Sequence, residues 1–369
     1  MTSRSPDQSL RQGFTTGSAA AAAAKAALML LFTGKAPFSV EIPLPPGGRL
    51  TIPVSSARTS EVGSSAQATV VKDAGDDPDA TDGAAIRCLA TLADAGIRIE
   101  GGRGVGRVTL PGLPVAVGQA AINPAPMAQI EQAARQAMDA AGYHGGAHLV
   151  IEVENGEQMA ARTLNPRLGV LGGISILGTQ GVVKPFSLDA WKATIDSGLT
   201  VARAAGCPTA AFSTGRRTER LLMARRPDLP ERCFVQAADF FAHAIQKAVE
   251  LKFAEIIFGC FFGKLVKMAQ GLPVTHAHTA PTNFTALARL ARLASADAAT
   301  CLAISQANTA RHALDIMAAK GLSQRFAALV LERALGAAQN FADAARNESI
   351  RPRIAICCFD FEGQVLTEG

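Results

Sequence analysis

Residues 255–269 read EIIFGCFFGKLVKMA, and this stretch decides how the second half of the chain is interpreted. A short apolar run predicts a buried strand at 255–258, and the glycine-bearing loop from Gly259 leads into a helix. Open parallel sheets bind their ligands at such strand-to-helix junctions. Lys264 and Lys267 lie one helical turn apart, so we expect both to meet one anionic ligand.

The same alternation continues on both sides of this stretch. Helical patterns at 187–205 and 239–252 alternate with short apolar runs at 208–212 and 354–359, and residues 285–345 have helical composition. This order predicts a parallel sheet flanked by helices. The fold class is therefore α/β, with a mixed α+β N-terminal domain at 1–185 and a Rossmann-like C-terminal α/β domain at 186–369.

The N-terminal half has a different rhythm. An alanine-rich run predicts a helix at 19–31, and two strand-like runs at 38–44 and 49–54 flank a Pro-Pro-Gly-Gly turn. A helix is expected at 126–141 and a strand at 148–154. The pair Asn155-Gly156 predicts a turn into another extended piece.

Residues 165–181, NPRLGVLGGISILGTQG, hold five glycines. Glycine at this density lets backbone amides approach an anion or cofactor, and it equally suits turns and tight packing. The ligand interpretation predicts that a bulky residue at Gly173 abolishes binding and leaves the fold intact. The predicted binding residues here are Arg167, Gly172, Gly173, Ser175, Gly178, Thr179, Gly181 and Lys184.

Three further features of the sequence bear on a ligand site. Thr15, Thr16 and Ser18 open the first helix, and three hydroxyls exceed the one that a helix cap needs, although a cap is the alternative. The loop at 72–79 is dense in carboxylates but lacks the EF-hand pattern, so a solvated turn is favoured over a metal site, with Lys72 as part of a polar wall. His276 and His278 lack a third ligand nearby, and no metal site is predicted.

Composition limits the function classes. The net charge is +5 without a basic block, and one Trp and one Tyr provide little surface for base stacking. We therefore expect an anionic small-molecule ligand, with neither nucleic acid nor a membrane as partner. Seven cysteines without metal-type spacing and no visible export signal predict a cytoplasmic protein with reduced thiols.

Five ordered segments carry a family resemblance: LRQGFTTGSAAAAAAKAAL, VVKDAGDDPDATDGA, GRGVGRVTLPGLPVAVGQAAINPAP, TLNPRLGVLGGISILGTQGVVKPFS and FGCFFGKLVKMAQG. Through them the chain resembles the cobalt-precorrin-5B C1-methyltransferases, the CbiD family of corrin biosynthesis. The resemblance implies methyl transfer from S-adenosylmethionine to C-1 of a polycarboxylate tetrapyrrole, cobalt-precorrin-5B, whose ring holds any cobalt. It adds Asn123 to the predicted binding residues, and Asp73 or His276 would accept a ring proton.

On this interpretation, residues 165–181 and the start of the first helix together line a cleft that faces the second domain. A phosphoryl-transfer enzyme is one alternative, since such loops also cradle phosphates. A non-catalytic corrinoid carrier is another. Whether the chain forms a homodimer is left open.

Overall fold

The computed structural model describes residues 10–60, 64–276, 281–345 and 351–369. The chain divides into two compact units, Met1–Leu188 and Asp189–Gly369. Helices and sheets are mixed in both, which confirms the predicted α/β class.

The described part of unit 1 contains the following elements: β1 (Gly13–Phe14), α1 (Thr16–Thr33), β2 (Ser39–Pro43), β3 (Arg49–Pro53), β4 (Ser56–Thr59), β5 (Ser65–Val71), β6 (Ala85–Ala93), β7 (Ile97–Gly101), β8 (Gly104–Val105), β9 (Arg107–Val108), α2 (Pro124–Ala140), β10 (Gly146–Val153), α3 (Gly156–Ala160), β11 (Val170–Leu171), β12 (Gly173–Ile174) and β13 (Val182–Val183). A five-stranded sheet of order β4-β5-β6-β10-β7 forms its frame. Neighbouring strands run antiparallel except β10 and β7, which are parallel.

Helix α1 is the centre of the unit 1 core. Alanine favours helix, and the Thr15 hydroxyl caps the N-terminus by accepting from the Ser18 amide, while Gly34 ends the helix in a left-handed conformation. The alanine side chains are fully buried, so the helix packs closely against α2, β5 and β6. By length and composition α1 could cross a membrane, yet 72% of it is buried within the protein, as in a core helix.

The extended piece predicted after Asn155-Gly156 is wrong, because the short helix α3 begins there instead. Asn155 adopts a left-handed conformation with φ 54°, and Gly156 packs against the backbone of Gly104. The tertiary contact with Gly104 therefore decides the local structure.

The described part of unit 2 contains the following elements: α4 (Leu188–Ala204), whose first residue still belongs to unit 1, β14 (Thr209–Ser213), α5 (Arg216–Arg225), β15 (Phe234–Gln236), α6 (Phe241–Glu250), β16 (Glu255–Phe261), α7 (Phe262–Ala269), α8 (Phe284–Leu293), α9 (Ala298–Ser305), α10 (Ala310–Ala318), α11 (Ser323–Ala345), β17 (Arg353–Phe359) and β18 (Val365–Glu368). Its sheet has the order β15-β14-β16-β17-β18. The first four strands are parallel, and β18 is antiparallel to β17.

Helices cover both faces of this sheet. Phe258 of β16 contacts Phe212 and the α6 residue Phe241, with ring centroids 4.9 and 5.1 Å apart, whereas its neighbour Gly259 faces α5. Successive strand residues point to opposite faces, so α5 and α6 lie on opposite sides. The predicted Rossmann-like arrangement of the second half is thereby confirmed.

Candidate functional site

The three hydroxyls at the start of α1 are buried and bond to the protein itself. Thr15 accepts from the Ser18 amide at 3.2 Å, and the Ser18 hydroxyl donates to the Gly181 carbonyl at 2.7 Å. The Thr16 hydroxyl accepts from the Leu177 amide at 2.9 Å. Residues 175–181 thus close over the helix start, and the hydroxyls expected to bind an anion hold that segment in place.

The glycines of residues 165–181 have two kinds of surroundings. A Cβ on Gly173 would overlap the backbone of Gly104 and lie 2.7 Å from the Gly106 nitrogen. Glycines 178 and 181 have positive φ and pack against the side chains of Thr15 and of Ser18 and Leu44. Close packing therefore accounts for these three positions.

Gly172 differs from those glycines. It is exposed, its φ is 78°, and a Cβ there would meet no atom within 4 Å. Thr179 and Lys184 are also exposed, and Arg167 is half-buried. Asn123 occupies the N-cap position of α2, but its side chain makes no capping hydrogen bond. Its backbone amide donates to the Ile176 carbonyl at 2.9 Å. This surface holds the sequence-predicted residues of unit 1 that remain accessible.

Lys72 forms a buried ion pair. Its side chain is 1% exposed, and its Nζ lies 2.7 Å from Asp79 Oδ2. Asp79 also accepts from the amide and hydroxyl of Thr81, both at 2.7 Å. Burial raises the pKa of Asp79, but the Lys72 charge and these hydrogen bonds outweigh burial and lower it. The pair stabilises the loop rather than presenting a free cation.

Asp73 is ion-paired with Arg11 on the surface. Its carboxylate accepts a second bond from Arg11 at 2.9 Å and one from the Gly75 amide at 2.8 Å. The hydrogen bond from Arg11 is the main cause that lowers the pKa of Asp73. A lower pKa makes this carboxylate a weaker base than an ordinary aspartate.

In unit 2, Lys264 and Lys267, which the sequence predicted to meet one anionic ligand, both contact the protein itself. Both donate to the Thr275 carbonyl, at 3.1 and 3.2 Å, and Lys264 is also paired with Asp239. Burial, followed by the Lys264 charge, lowers the pKa of Lys267. His276 follows Thr275 directly and is exposed, whereas His278 lies outside the described residues.

Sequence reasoning missed three residues at the carboxyl ends of the unit 2 strands. The Ser213 hydroxyl, at the end of β14, is buried and makes no hydrogen bond within the described residues. Gly215 begins α5 with open space where its Cβ would lie, and Asp239 follows β15. An apolar run followed by Ser-Thr-Gly-Arg matches the junction at Gly259, and this pattern could have revealed the first two.

The cysteines form no disulfide, and six of the seven are buried. Burial raises the pKa of the Cys233 and Cys357 thiols to about 12. In the part of the chain that the structure describes, no three His, Cys, Asp or Glu side chains come together as a metal site.

The sequence profile of CbiD matches residues 3–185, and that of the CbiD C-terminal domain matches residues 274–369. A protein of Nitratidesulfovibrio vulgaris named cobalt-precorrin-5B C(1)-methyltransferase is 52% identical, with 90% of this chain and 87% of the relative covered. A protein of the same name from Geobacillus kaustophilus is 45% identical, over 90% and 89%. The crystal structure of the cobalamin biosynthesis protein cbiD from Archaeoglobus fulgidus is 29% identical, with a TM-score of 0.38 over 69% of this chain and 78% of that one.

Proposed function

The chain belongs to the CbiD family, and on this premise we propose that it methylates C-1 of cobalt-precorrin-5B with S-adenosylmethionine as the methyl donor. It is a methyltransferase of cobalamin biosynthesis. The observation that carries this conclusion is 52% identity to a methyltransferase of that name across 90% of the chain. Its buried, unpaired thiols suit a reducing compartment, and we place the enzyme in the cytoplasm.

One structural observation among the described residues supports the binding of a polar methyl donor. Ser213 has a buried hydroxyl with no partner among them, and a donor that brings a hydrogen-bonding group would satisfy it. When bound, the sulfonium donor supplies an activated methyl group with a good leaving group. The protein then contributes orientation of the two reactants and exclusion of water.

The tetrapyrrole is a polycarboxylate, and the accessible cations beside residues 165–181 suit it. Lys184 is exposed immediately after β13, and Arg167 lies at the start of the segment. Exposed Gly172 and Thr179 offer backbone and hydroxyl groups on the same segment. The hydroxyls of Thr15, Thr16 and Ser18 act indirectly on this proposal, by holding the segment against α1.

The ring loses one proton as its conjugation re-forms after methylation. Asp73 and His276 were the two expected acceptors. The lowered pKa of Asp73 disfavours it as a base, while His276 is exposed next to the Thr275 contacts of unit 2. We assign the acceptor role to His276. His276→Gln should lower kcat without changing the affinity for the donor.

The reaction is tested by incubating the full chain with cobalt-precorrin-5B and methyl-labelled S-adenosylmethionine, followed by mass spectrometry of the tetrapyrrole. One labelled methyl group on the product is the expected result. Tetrapyrrole binding without a gain in mass would instead indicate a corrinoid carrier. Thermal stabilisation by ATP with magnesium, and no methyl transfer, would indicate phosphoryl transfer.

The proposed ring contact has its own test. Lys184→Gln should raise KM for the tetrapyrrole about tenfold, because it removes one charge-assisted hydrogen bond. Lys35→Gln is the matched control, since Lys35 is also exposed but follows the opposite end of α1. Equal KM values for both variants would contradict the assignment of Lys184.

A further inference from the structure

The sheet of unit 2 has a topological switch point between β14 and β16. Strand β14 continues into α5 and pairs with β15 on one side, while β15 continues into α6, which returns to β16 on the other. Helix α5, which follows β14, lies on the face opposite α6, whereas α7, which follows β16, packs together with α6 against α11. The loops after β14 and β16 therefore diverge. Ligands of open α/β sheets bind in the crevice that such a divergence creates.

Ser213 is the polar group at this crevice that the protein leaves unsatisfied. It is 1% exposed, and its Oγ has no hydrogen-bond partner among the described residues. Ser213 pairs in register with Gly259, whose missing Cβ would point at Leu222 and the Thr218 carbonyl of α5. Paired residues of parallel strands share a face, so the Ser213 side chain points towards the N-terminal turns of α5.

The N-terminus of α5 is open on the same side. Gly215 occupies the cap position, provides no capping side chain, and has no atom within 4 Å of where its Cβ would lie. The first-turn amides and the positive end of the helix dipole attract a carboxylate. Arg217 does not fill this space, because its guanidinium lies 5.4 Å from the Phe261 ring and donates to the Phe361 carbonyl.

A carboxylate follows the neighbouring strand. Asp239 comes three residues after β15, directly behind Ala238, whose φ of 49° is unusual for a residue other than glycine. Asp239 Oδ1 accepts from Lys264 and from the Thr275 hydroxyl. In nucleotide-binding sheets an acidic residue in this position, about 20 residues after the first turn, accepts the ribose hydroxyls.

We propose that the methyl donor binds at this switch point, with its amino-acid carboxylate at Ser213 and the first-turn amides of α5, and its ribose at Asp239. The proposal rests on the proposed methyltransferase function and deepens it, because it assigns the donor to unit 2.

The test uses isothermal titration calorimetry of the full chain with S-adenosylhomocysteine, which carries both the carboxylate and the ribose. Ser213→Ala should weaken this binding about tenfold, since a hydrogen bond to a charged group is lost. The same variant should melt at the wild-type temperature or above, because it removes an unsatisfied buried group. A purely structural role for Ser213 would give no change in affinity.

Gly215→Val places a side chain in the crevice and should weaken S-adenosylhomocysteine binding at least tenfold. Gly336→Val is the matched control, since Gly336 of α11 also has open space at its Cβ position and should bind as wild type does. If Gly215→Val fails to fold, Ser213→Ala decides the question alone.

Orientation is tested with 5′-methylthioadenosine, which lacks the amino-acid carboxylate. Its affinity should be unchanged by Ser213→Ala and lowered by Asp239→Asn. An equal loss for both ligands in Ser213→Ala would overturn the orientation.

Failure of the inference is distinguishable from failure of the proposed function. If wild type methylates the tetrapyrrole and binds S-adenosylhomocysteine, yet Ser213→Ala and Gly215→Val bind as tightly, the switch point is not the donor site and only the inference falls. If wild type neither binds S-adenosylhomocysteine nor transfers a methyl group, both are wrong.

Discussion

Replacing Gly173 by alanine should unfold part of unit 1, whereas the same change at its neighbour Gly172 should be tolerated. Both glycines belong to the segment that sequence reasoning treated as a ligand cradle. A Cβ on Gly173 would lie well inside 3.0 Å of the Gly104 backbone, while a Cβ on Gly172 would meet nothing. The pair therefore separates packing from ligand binding within two adjacent positions.

The magnitude follows from the contacts that must move. Overpacking costs about 1–3 kcal/mol. The shift would also disturb the bond from the Gly106 amide to the Ile174 carbonyl, 2.8 Å, and that from Asn165 Nδ2 to the Gly173 carbonyl, 3.3 Å. At about 1 kcal/mol for each hydrogen bond, Gly173→Ala should lower the free energy of unfolding by about 3–5 kcal/mol in total. Gly172→Ala pays only the left-handed backbone cost of about 1–2 kcal/mol.

Hydrogen exchange read by mass spectrometry suits this comparison, because it reports unit 1 separately from unit 2. Peptides covering residues 101–108 and 170–177 should lose protection in Gly173→Ala and keep most of it in Gly172→Ala. Equal protection in the two variants, or a smaller loss for Gly173→Ala, would refute the packing argument.

Three further outcomes are expected. Lys72→Met should lower the free energy of unfolding by about 3 kcal/mol, because it leaves the Asp79 carboxylate buried without its cation. Adding Asp79→Asn should restore more than half of this loss. If urea titrations show no restoration, the ion-pair argument is wrong. Because the pKa of Asp79 is lowered in the fold, its stabilisation is present above the ordinary carboxyl pKa and is lost as pH falls through the lowered value. Asp79→Asn should therefore make the free energy of unfolding depend less steeply on pH on the acid side. An unchanged slope would contradict the assignment of this stabilisation to Asp79. With an aromatic disulfide reagent, native protein should show one fast thiol, the half-buried Cys301, and a second fast thiol would mean that a buried cysteine is accessible.

Much of the fold could be predicted where local pattern and tertiary structure agree. The alanine run of α1, the hairpin of β2 and β3, and the strand and helix around Gly259 are encoded by composition and periodicity. The turn at Asn155 was not predictable in the same way, because a backbone contact with Gly104, about fifty residues earlier, decides it.

The candidate site shows the same division. Residue types drew attention to the segment that meets the start of α1, but they did not show what the hydroxyls do there. Whether Thr16 binds a ligand or a carbonyl depends on Leu177, which only the three-dimensional structure brings to it. Ser213 escaped notice because a serine in an apolar run carries no signal until its lack of a partner is visible.

The closure of the α1 start by residues 175–181 also constrains how unit 1 can form during synthesis. Strand β1 pairs with β13, and Ser18 bonds to Gly181, its partner 163 residues away in the chain. At an elongation rate of about 5–20 residues per second, the helix start waits roughly ten to thirty seconds for its partners to leave the ribosome. During that interval the start of α1 lacks the segment that closes over it, so the nascent chain should depend on chaperones that bind early in translation.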